Sequence, residues 1–211
     1  MKKLLFFVLL VPFFAVAQTK LYVHDNAQEY VQKTKTIAIL PLKVQVKLRP
    51  KQLKDFTPDQ IAEMNKSEAL DIQKGMHSWF LTRKKRGSFK LDVQNPTRTN
   101  ALLQKNGIDI HDYDAYLPSE LGKILGVETV IMGSFESSKP MSNGAAVGLL
   151  FLTGGFFATQ AATLNMDFFS THDDELVVNY LKKVRGSLGS NAQDLINKLM
   201  RKVTRRIPYT K

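Results

Sequence analysis

The sequence contains no cysteine. This absence excludes a disulfide framework, a thiol nucleophile, a cysteine-ligated metal and a lipid carried on a cysteine. Common catalytic signatures are also lacking, because there is no HExxH motif, GxSxG elbow, phosphate-cradling loop or dinucleotide fingerprint. His111 and His172 stand beside aspartates, but in predicted turns, where Asp is favoured for backbone reasons. We therefore nominate no catalytic, metal-binding or cofactor-binding residue, and we expect no cofactor and no enzymatic activity.

The first 17 residues predict an export signal. Lys2 and Lys3 precede the uncharged apolar run Leu4–Phe14, and Ala15-Val16-Ala17 supplies the small-x-small pattern that a signal peptidase accepts. The run is short for a bilayer span, so a retained membrane anchor is the less favoured alternative. We expect cleavage near Ala17/Gln18 and a periplasmic or secreted protein that is not a lipoprotein.

Acidic residues are outnumbered, with 19 Asp and Glu against 30 Lys and Arg, which gives a formal charge of +11. Two cationic groups are candidates for binding an anionic surface: Arg83, Lys84, Lys85 and Arg86, and Arg201, Lys202, Arg205 and Arg206. The plainer interpretation is that the first group offsets the negative end of a helix dipole and the second forms a solvated helix face. Nucleic acid is not an expected partner, because the export signal removes the chain from the cytoplasm.

Beyond a polar lead-in at residues 18–35, with a short helix after Asp25, the pattern predicts a single α/β domain at residues 36–211. Apolar runs and alternation predict strands at 36–48, 88–94, 127–136, 162–170 and 176–184. Caps and apolar periodicity predict helices at 57–86, 97–106, 118–126 and 190–207. Helical crossovers between the early strands favour parallel pairing, and short late connections favour antiparallel pairing. The expected fold class is α/β (α+β), with a mixed sheet of about five strands and helices packed on it.

An uncharged, glycine-rich segment at residues 143–162 interrupts two strands that a tight turn could otherwise join. Three structures fit it: an apolar hairpin turning at Gly154-Gly155, a short apolar helix at a membrane interface or partner, or a buried part of the domain. An exposed apolar patch of this length marks an interaction surface. Its candidate contact residues are Val147, Leu149, Leu150, Phe151, Leu152, Phe156 and Phe157.

Three stretches carry a resemblance to known envelope domains: the early strand TIAILPL, the unit ELGKILGVETVIMGSFE, and the hairpin ATLNMDFFSTHDDELVV with its acidic turn. Together with the final helix, they make residues 36–207 resemble the curli-secretion channel lipoproteins (CsgG-like), the amino-terminal domain of TolB and the lipoprotein activators of penicillin-binding proteins. The resemblance implies an envelope α/β domain that binds partners without doing chemistry. The chain departs from the curli channel group because it lacks the lipidated cysteine and leaves no room for a second membrane hairpin at 185–189.

These observations predict an exported accessory domain of the cell envelope that contacts a protein partner or a membrane surface through the apolar insertion. A homo-oligomer is an alternative assembly. Two other functions remain open at this stage: a secreted hydrolase acting on envelope polymers, and a basic anion-binding module whose adsorption depends on salt.

Overall fold

The computed structural model describes residues 19–48, 50–54, 56–137, 161–185, 192–203 and 206–210. The predicted export signal lies outside these residues, and so does the insertion apart from its last two residues. The strands are β1 (Thr19–Val23), β2 (Thr36–Ile39), β3 (Lys43–Val46), β4 (Asp92–Val93), β5 (Thr129–Ser137), β6 (Ala161–Ser170) and β7 (Leu176–Arg185). The helices are α1 (Ala27–Lys33), α2 (Pro50–Leu53), α3 (Pro58–Lys85), α4 (Pro96–Lys105), α5 (Pro118–Leu125) and α6 (Ala192–Val203), followed by a 3-10 turn at Pro208–Thr210.

The predicted fold class, a mixed sheet with helices packed on it, is confirmed. In the described part of the chain the strand order is β1-β7-β6-β5-β2-β4, with β3 also paired to β5. Strands β2 and β3 run parallel to β5, and β2 runs parallel to β4. The pairs β1–β7, β7–β6 and β6–β5 are antiparallel. Helical crossovers therefore join the parallel strands and a short turn joins β6 to β7, as the connection lengths predict.

The sheet has seven described strands, more than the roughly five expected. The predicted strand at residues 36–48 is divided by Leu40-Pro41-Leu42 into β2 and β3, although Leu40 still donates its backbone N–H to the Ile131 carbonyl at 2.9 Å. The lead-in contributes the additional strand, β1, and the expected helix, α1. Proline has no N–H for the ladder, which explains the break, and β1 has no buried residue that would mark it in the sequence.

Helix α3 begins and ends close to its predicted bounds. The Thr57 side chain accepts a hydrogen bond from the Gln60 N–H and the Gln60 side chain accepts from the Thr57 N–H, which forms a capping box ahead of Pro58. Its apolar face, which includes Ile72, Met76 and Phe80, packs on the sheet. Burying a side chain such as Phe80 contributes about 1.5–3 kcal/mol.

The sheet buries different side chains on its two faces. On the face that we call the helical face, α1, α3, α6 and the 3-10 turn cover the largest core cluster, which includes Phe135, Phe168 and Tyr180. On the opposite face, α4 and α5 cover a second cluster that includes Leu103, Leu121 and Val130. The alternation of β6 follows from this arrangement, because its even-numbered residues from 162 to 170 are buried and its odd-numbered residues are only half-buried.

The acidic turn between β6 and β7 holds α5 in place. Asp174, which has a φ of 63°, accepts hydrogen bonds from the Ser119 N–H at 2.5 Å and from the Ser119 hydroxyl at 3.0 Å. A carboxylate placed there satisfies an amide at the positive end of the helix. The Thr171 hydroxyl also donates to the Val127 carbonyl at 2.7 Å. The aspartate therefore has a structural role in this turn.

We expect Asp174→Ala to lower the free energy of unfolding by about 2 kcal/mol, because it removes a helix-terminal acceptor and places a Cβ residue without local hydrogen bonding at positive φ. Asp174→Asn keeps an acceptor and tolerates this backbone, so it should cost less than half as much. Urea denaturation measures both variants. Equal losses would mean that the carboxylate does not cap α5.

Gly133 lets β5 and β6 approach closely. Its φ is +141°, and a Cβ there would lie 2.2 Å from the Asn165 carbonyl oxygen of the paired strand.

We expect Gly133→Ala to destabilise the fold by about 3 kcal/mol, since backbone strain and overpacking add. Gly107→Ala is the matched control, because Gly107 also has positive φ (+74°) but faces open space, so that it should cost about 1 kcal/mol. Chemical denaturation that finds the two losses equal would contradict the close contact.

Candidate functional site

The insertion departs from one end of the sheet. Strand β5 ends at Ser137, β6 begins at Ala161, and Ser137 is the direct partner of Ala162. Directly opposed residues in an antiparallel pair have Cα atoms about 4.5–5.5 Å apart. The two strand ends are therefore already adjacent, and a tight turn of a few residues would suffice to join them.

Beside this end, the opposite face of the sheet carries a polar strip, which we define as Ser134, Glu136, Thr163, Asn165, Asp167, Asn179 and Lys183. The pairing of β5 with β6 and of β6 with β7 places these residues on one face. None of them is buried, and none belongs to a core cluster of the described residues. The strip is a mainly polar, half-exposed surface, and the half-buried Leu181 lies within it, directly opposite Asn165.

Hydrogen bonds join the centre of the polar strip. The Asn165 amide donates to the Asp167 carboxylate at 2.9 Å, and the Asn179 amide donates to the Asn165 side-chain oxygen at 2.9 Å and also to Asp167. Desolvation raises the pKa of Asp167, and the two amide hydrogen bonds oppose that rise. The network satisfies these polar groups within the strip itself.

The first cationic group, Arg83–Arg86, sits at the carboxyl end of α3. Arg83 lies over the Trp79 ring at 4.6 Å, and Lys84 pairs with Asp92 of β4. Gly87 follows at a φ of 73°, as expected for a residue that ends a helix. Arg83, Lys84 and Lys85 thus lie in the last turn of α3, and both interpretations of this group remain predictions.

The second cationic group lies near β7, at the end of the sheet opposite β4. Arg201 and Lys202 are exposed on α6, Arg206 is exposed just beyond it, and Arg205 lies outside the described residues. Burial lowers the pKa of Lys182 on β7, and the positive charges of Lys202 and Arg206 lower it further. The structure thus gathers Lys182 with two of the nominated cations, a neighbour that the sequence pattern did not identify. This group lies beside β7 and Arg83–Arg86 lies beside β4, so that β6, β5 and β2 lie between the two groups.

All seven candidate contact residues, Val147, Leu149, Leu150, Phe151, Leu152, Phe156 and Phe157, lie outside the described residues. Within the described part of the chain, no group of three His, Cys, Asp or Glu side chains could hold a metal ion. The gap between α3, α6 and the sheet is lined only by core side chains: Ile72, Met76, Phe135, Leu164, Ile196, Leu199 and Met200. None of the described helices is long and apolar enough to cross a membrane.

Comparison with known proteins finds similarity in structure and none in sequence. No protein-family model matches the chain, and no curated protein matches it. Lipoprotein GNA1162 from Neisseria meningitidis is 13% identical, with 82% of this chain and 97% of that chain covered at a TM-score of 0.47. A PelC dodecamer from Paraburkholderia phytofirmans is 9% identical, with 92% and 97% covered at 0.41. The LpoB C-terminal domain from Salmonella enterica is 11% identical, with 78% and 99% covered at 0.30.

These comparisons confirm the predicted resemblance to envelope lipoproteins only in part, as a likeness of fold at low identity, and the likeness to the curli channel proteins is not shown. One expectation is wrong. We expected a periplasmic or secreted protein that is not a lipoprotein, whereas the similar structures include a lipoprotein. The absence of cysteine excludes a lipid on a thiol, but it excludes no other attachment to a membrane.

Proposed function

We propose that this chain is a non-enzymatic accessory domain of the cell envelope, which contacts a protein partner or a membrane through the uncharged segment at residues 143–162. The observation that carries the proposal is the direct pairing of Ser137 with Ala162. The sheet needs only a tight turn of a few residues at this point, yet the sequence supplies residues 138–161. A long apolar segment that the strand connection does not require is best explained by a role in binding.

The surroundings of the strand ends support an external contact. One surface beside the strand ends, the polar strip, offers amide, hydroxyl and charged groups, which would lose solvation without gaining partners under an apolar segment. The helical face of the sheet is already covered by α3 and α6, whose buried residues include Phe80 and Leu199. Valine, leucine and phenylalanine side chains of the insertion therefore gain most by leaving water at a surface outside the domain.

The first residues of the chain support a location in the envelope. Lys2 and Lys3 followed by the apolar run Leu4–Phe14 favour delivery to a membrane. The excess of Lys and Arg over Asp and Glu suits a surface that carries anionic lipid head groups or acidic glycans.

A basic anion-binding surface is a second candidate, favoured by the exposed Arg201, Lys202 and Arg206 on α6 and just beyond it. Such binding would weaken steeply with salt, whereas contact through the apolar insertion would persist. No contact among the described residues favours a hydrolase.

The test replaces residues 139–160 with Asn-Gly, so that Ser138 and Ala161 become the hydrogen-bonded pair that flanks a two-residue hairpin turn. The core residues identified by burial lie between Ala27 and Tyr209. Both proteins can therefore begin at Gln18, so that the run Leu4–Phe14 does not itself bind vesicles. We expect the free energy of unfolding to change by less than about 1 kcal/mol, since the joined strands keep their register. Vesicle flotation and crosslinked recovery of envelope partners should fall at least about tenfold, which corresponds to the loss of about 1.4 kcal/mol of binding.

The matched control keeps the full length and changes only apolarity, with Leu149, Leu150, Phe151, Phe156 and Phe157 replaced by Ser. It should bind as poorly as the shortened chain if apolar contact is responsible. Failure of the shortened chain to fold would place the segment in the core and overturn the proposal, as would unchanged binding by both variants. Loss of binding only at high salt would favour the anion-binding surface.

A further inference from the structure

The strand β1 lies at the edge of the sheet, and three of its five residues direct their backbone hydrogen-bonding groups away from β7. The His24 N–H donates to the Val177 carbonyl at 2.9 Å, which sets the phase of the pairing between β1 and β7. Because antiparallel partners alternate between bonded and non-bonded pairs, Lys20 and Tyr22 also bond toward β7. Thr19, Leu21 and Val23 therefore direct their N–H and C=O groups outward, and no described strand pairs with them.

The side chains of this edge are apolar and accessible. Leu21 is 38% exposed, Tyr22 is 46% exposed and Val23 is 36% exposed. Natural sheets protect their edges with proline, bulges or charged side chains. Between Thr19 and Val23 there is no proline and no register shift, and Lys20 is the one charge. The edge is therefore open to pairing with another strand.

We propose that β1 pairs antiparallel with β1 of a second copy of this chain, with Leu21 opposite Leu21 across a two-fold axis. This register pairs all five residues of Thr19–Val23 and satisfies the outward groups of Thr19, Leu21 and Val23 in both copies. Lys20 then faces Tyr22 of the second copy, where an ammonium lies beside an aromatic ring, and Thr19 faces Val23.

Charge decides between this register and its neighbours. Only a shift of one copy by two residues keeps the outward backbone groups of the two copies facing each other. Each such shift leaves three paired residues in each strand instead of five. One shift sets Lys20 directly opposite Lys20 of the second copy, which is unfavourable for like charges. The other sets Tyr22 opposite Tyr22 and leaves Thr19 and Lys20 unpaired. The centred register is thus the self-complementary one, as a two-fold interface requires.

A ladder of five residues buries little surface, so we expect a weak dimer that a covalent trap detects best. The inference does not depend on the contact proposed for residues 143–162, because β1 lies outside that segment. Since the chain has no cysteine, a single introduced cysteine reports self-pairing without background. In the centred register, Cα atoms of residue 21 would be about 5.5 Å apart, which is within the range of a disulfide.

The experiment oxidises Leu21→Cys, Lys20→Cys and Tyr22→Cys variants of the full chain under mild conditions and measures the covalent dimer on a non-reducing gel. Leu21→Cys should give at least about tenfold more dimer than either of the other two, whose cysteines are not opposed to themselves. A mixture of Lys20→Cys with Tyr22→Cys should recover the crosslink, because these positions face one another. Equal yields from all three single variants, or a higher yield from Lys20→Cys, would overturn the proposal.

A charge-swap series gives an independent readout in solution. Leu21→Lys and Leu21→Glu should each abolish the dimer seen by native mass spectrometry, because like charges would oppose across the axis, and an equimolar mixture should restore it. Because Leu21 is only 38% exposed and pairs with the buried Tyr180, the melting temperature of each variant is measured to separate loss of the dimer from loss of the fold. A mixture that stays monomeric would contradict the pairing, as would single variants that dimerise like the unsubstituted chain.

Discussion

The antiparallel pairing of β5 with β6 is the constraint on which the rest of the structure depends. It runs without a register shift from Thr129 opposite Ser170 to Ser137 opposite Ala162. Strand β5 also takes β2 and β3 as parallel partners on its other side, so it joins the crossover half of the sheet to the hairpin half. The close approach at Gly133 and the departure point of residues 138–160 both follow from this pairing.

The strict alternation of β6 then gives the sheet two unlike faces. Leu164, Met166 and Phe168 meet α3, α6 and the 3-10 turn, whose Tyr209 stacks on Phe168 with ring centroids 5.1 Å apart. Asn165 and Asp167 face the other way and form the polar strip. A shift of one residue in this register would exchange the two sets, which specifies the pairing strongly. Among the described residues, this part of the opposite face is therefore mainly polar.

Much of this fold can be predicted from the sequence, and the reasons differ between elements. Thr57-Pro58 and Gly87 set the bounds of α3 through local capping, which depends only on neighbouring residues. Strand β1 could not be predicted from the sequence, since an exposed edge strand of five residues shows neither an apolar run nor a full alternation. The burial of Lys182 could not be predicted either, because it depends on the register of β7 with β1 and on the placement of α6. The polar strip likewise exists only once three strands are paired, whereas the uncharged insertion is visible directly in composition.

The central claim is that the β5–β6 pairing holds the domain together independently of the segment between the two strands. Hydrogen–deuterium exchange of the backbone amides of β5 and β6 tests it most directly, comparing the full chain with one in which residues 139–160 are replaced by Asn-Gly. The account predicts the same protection in both proteins for amides from Thr129 to Phe135 and from Leu164 to Phe169, with changes confined to the end beside Ser137. A general loss of protection along both strands would contradict it, because the segment would then be part of what stabilises the sheet.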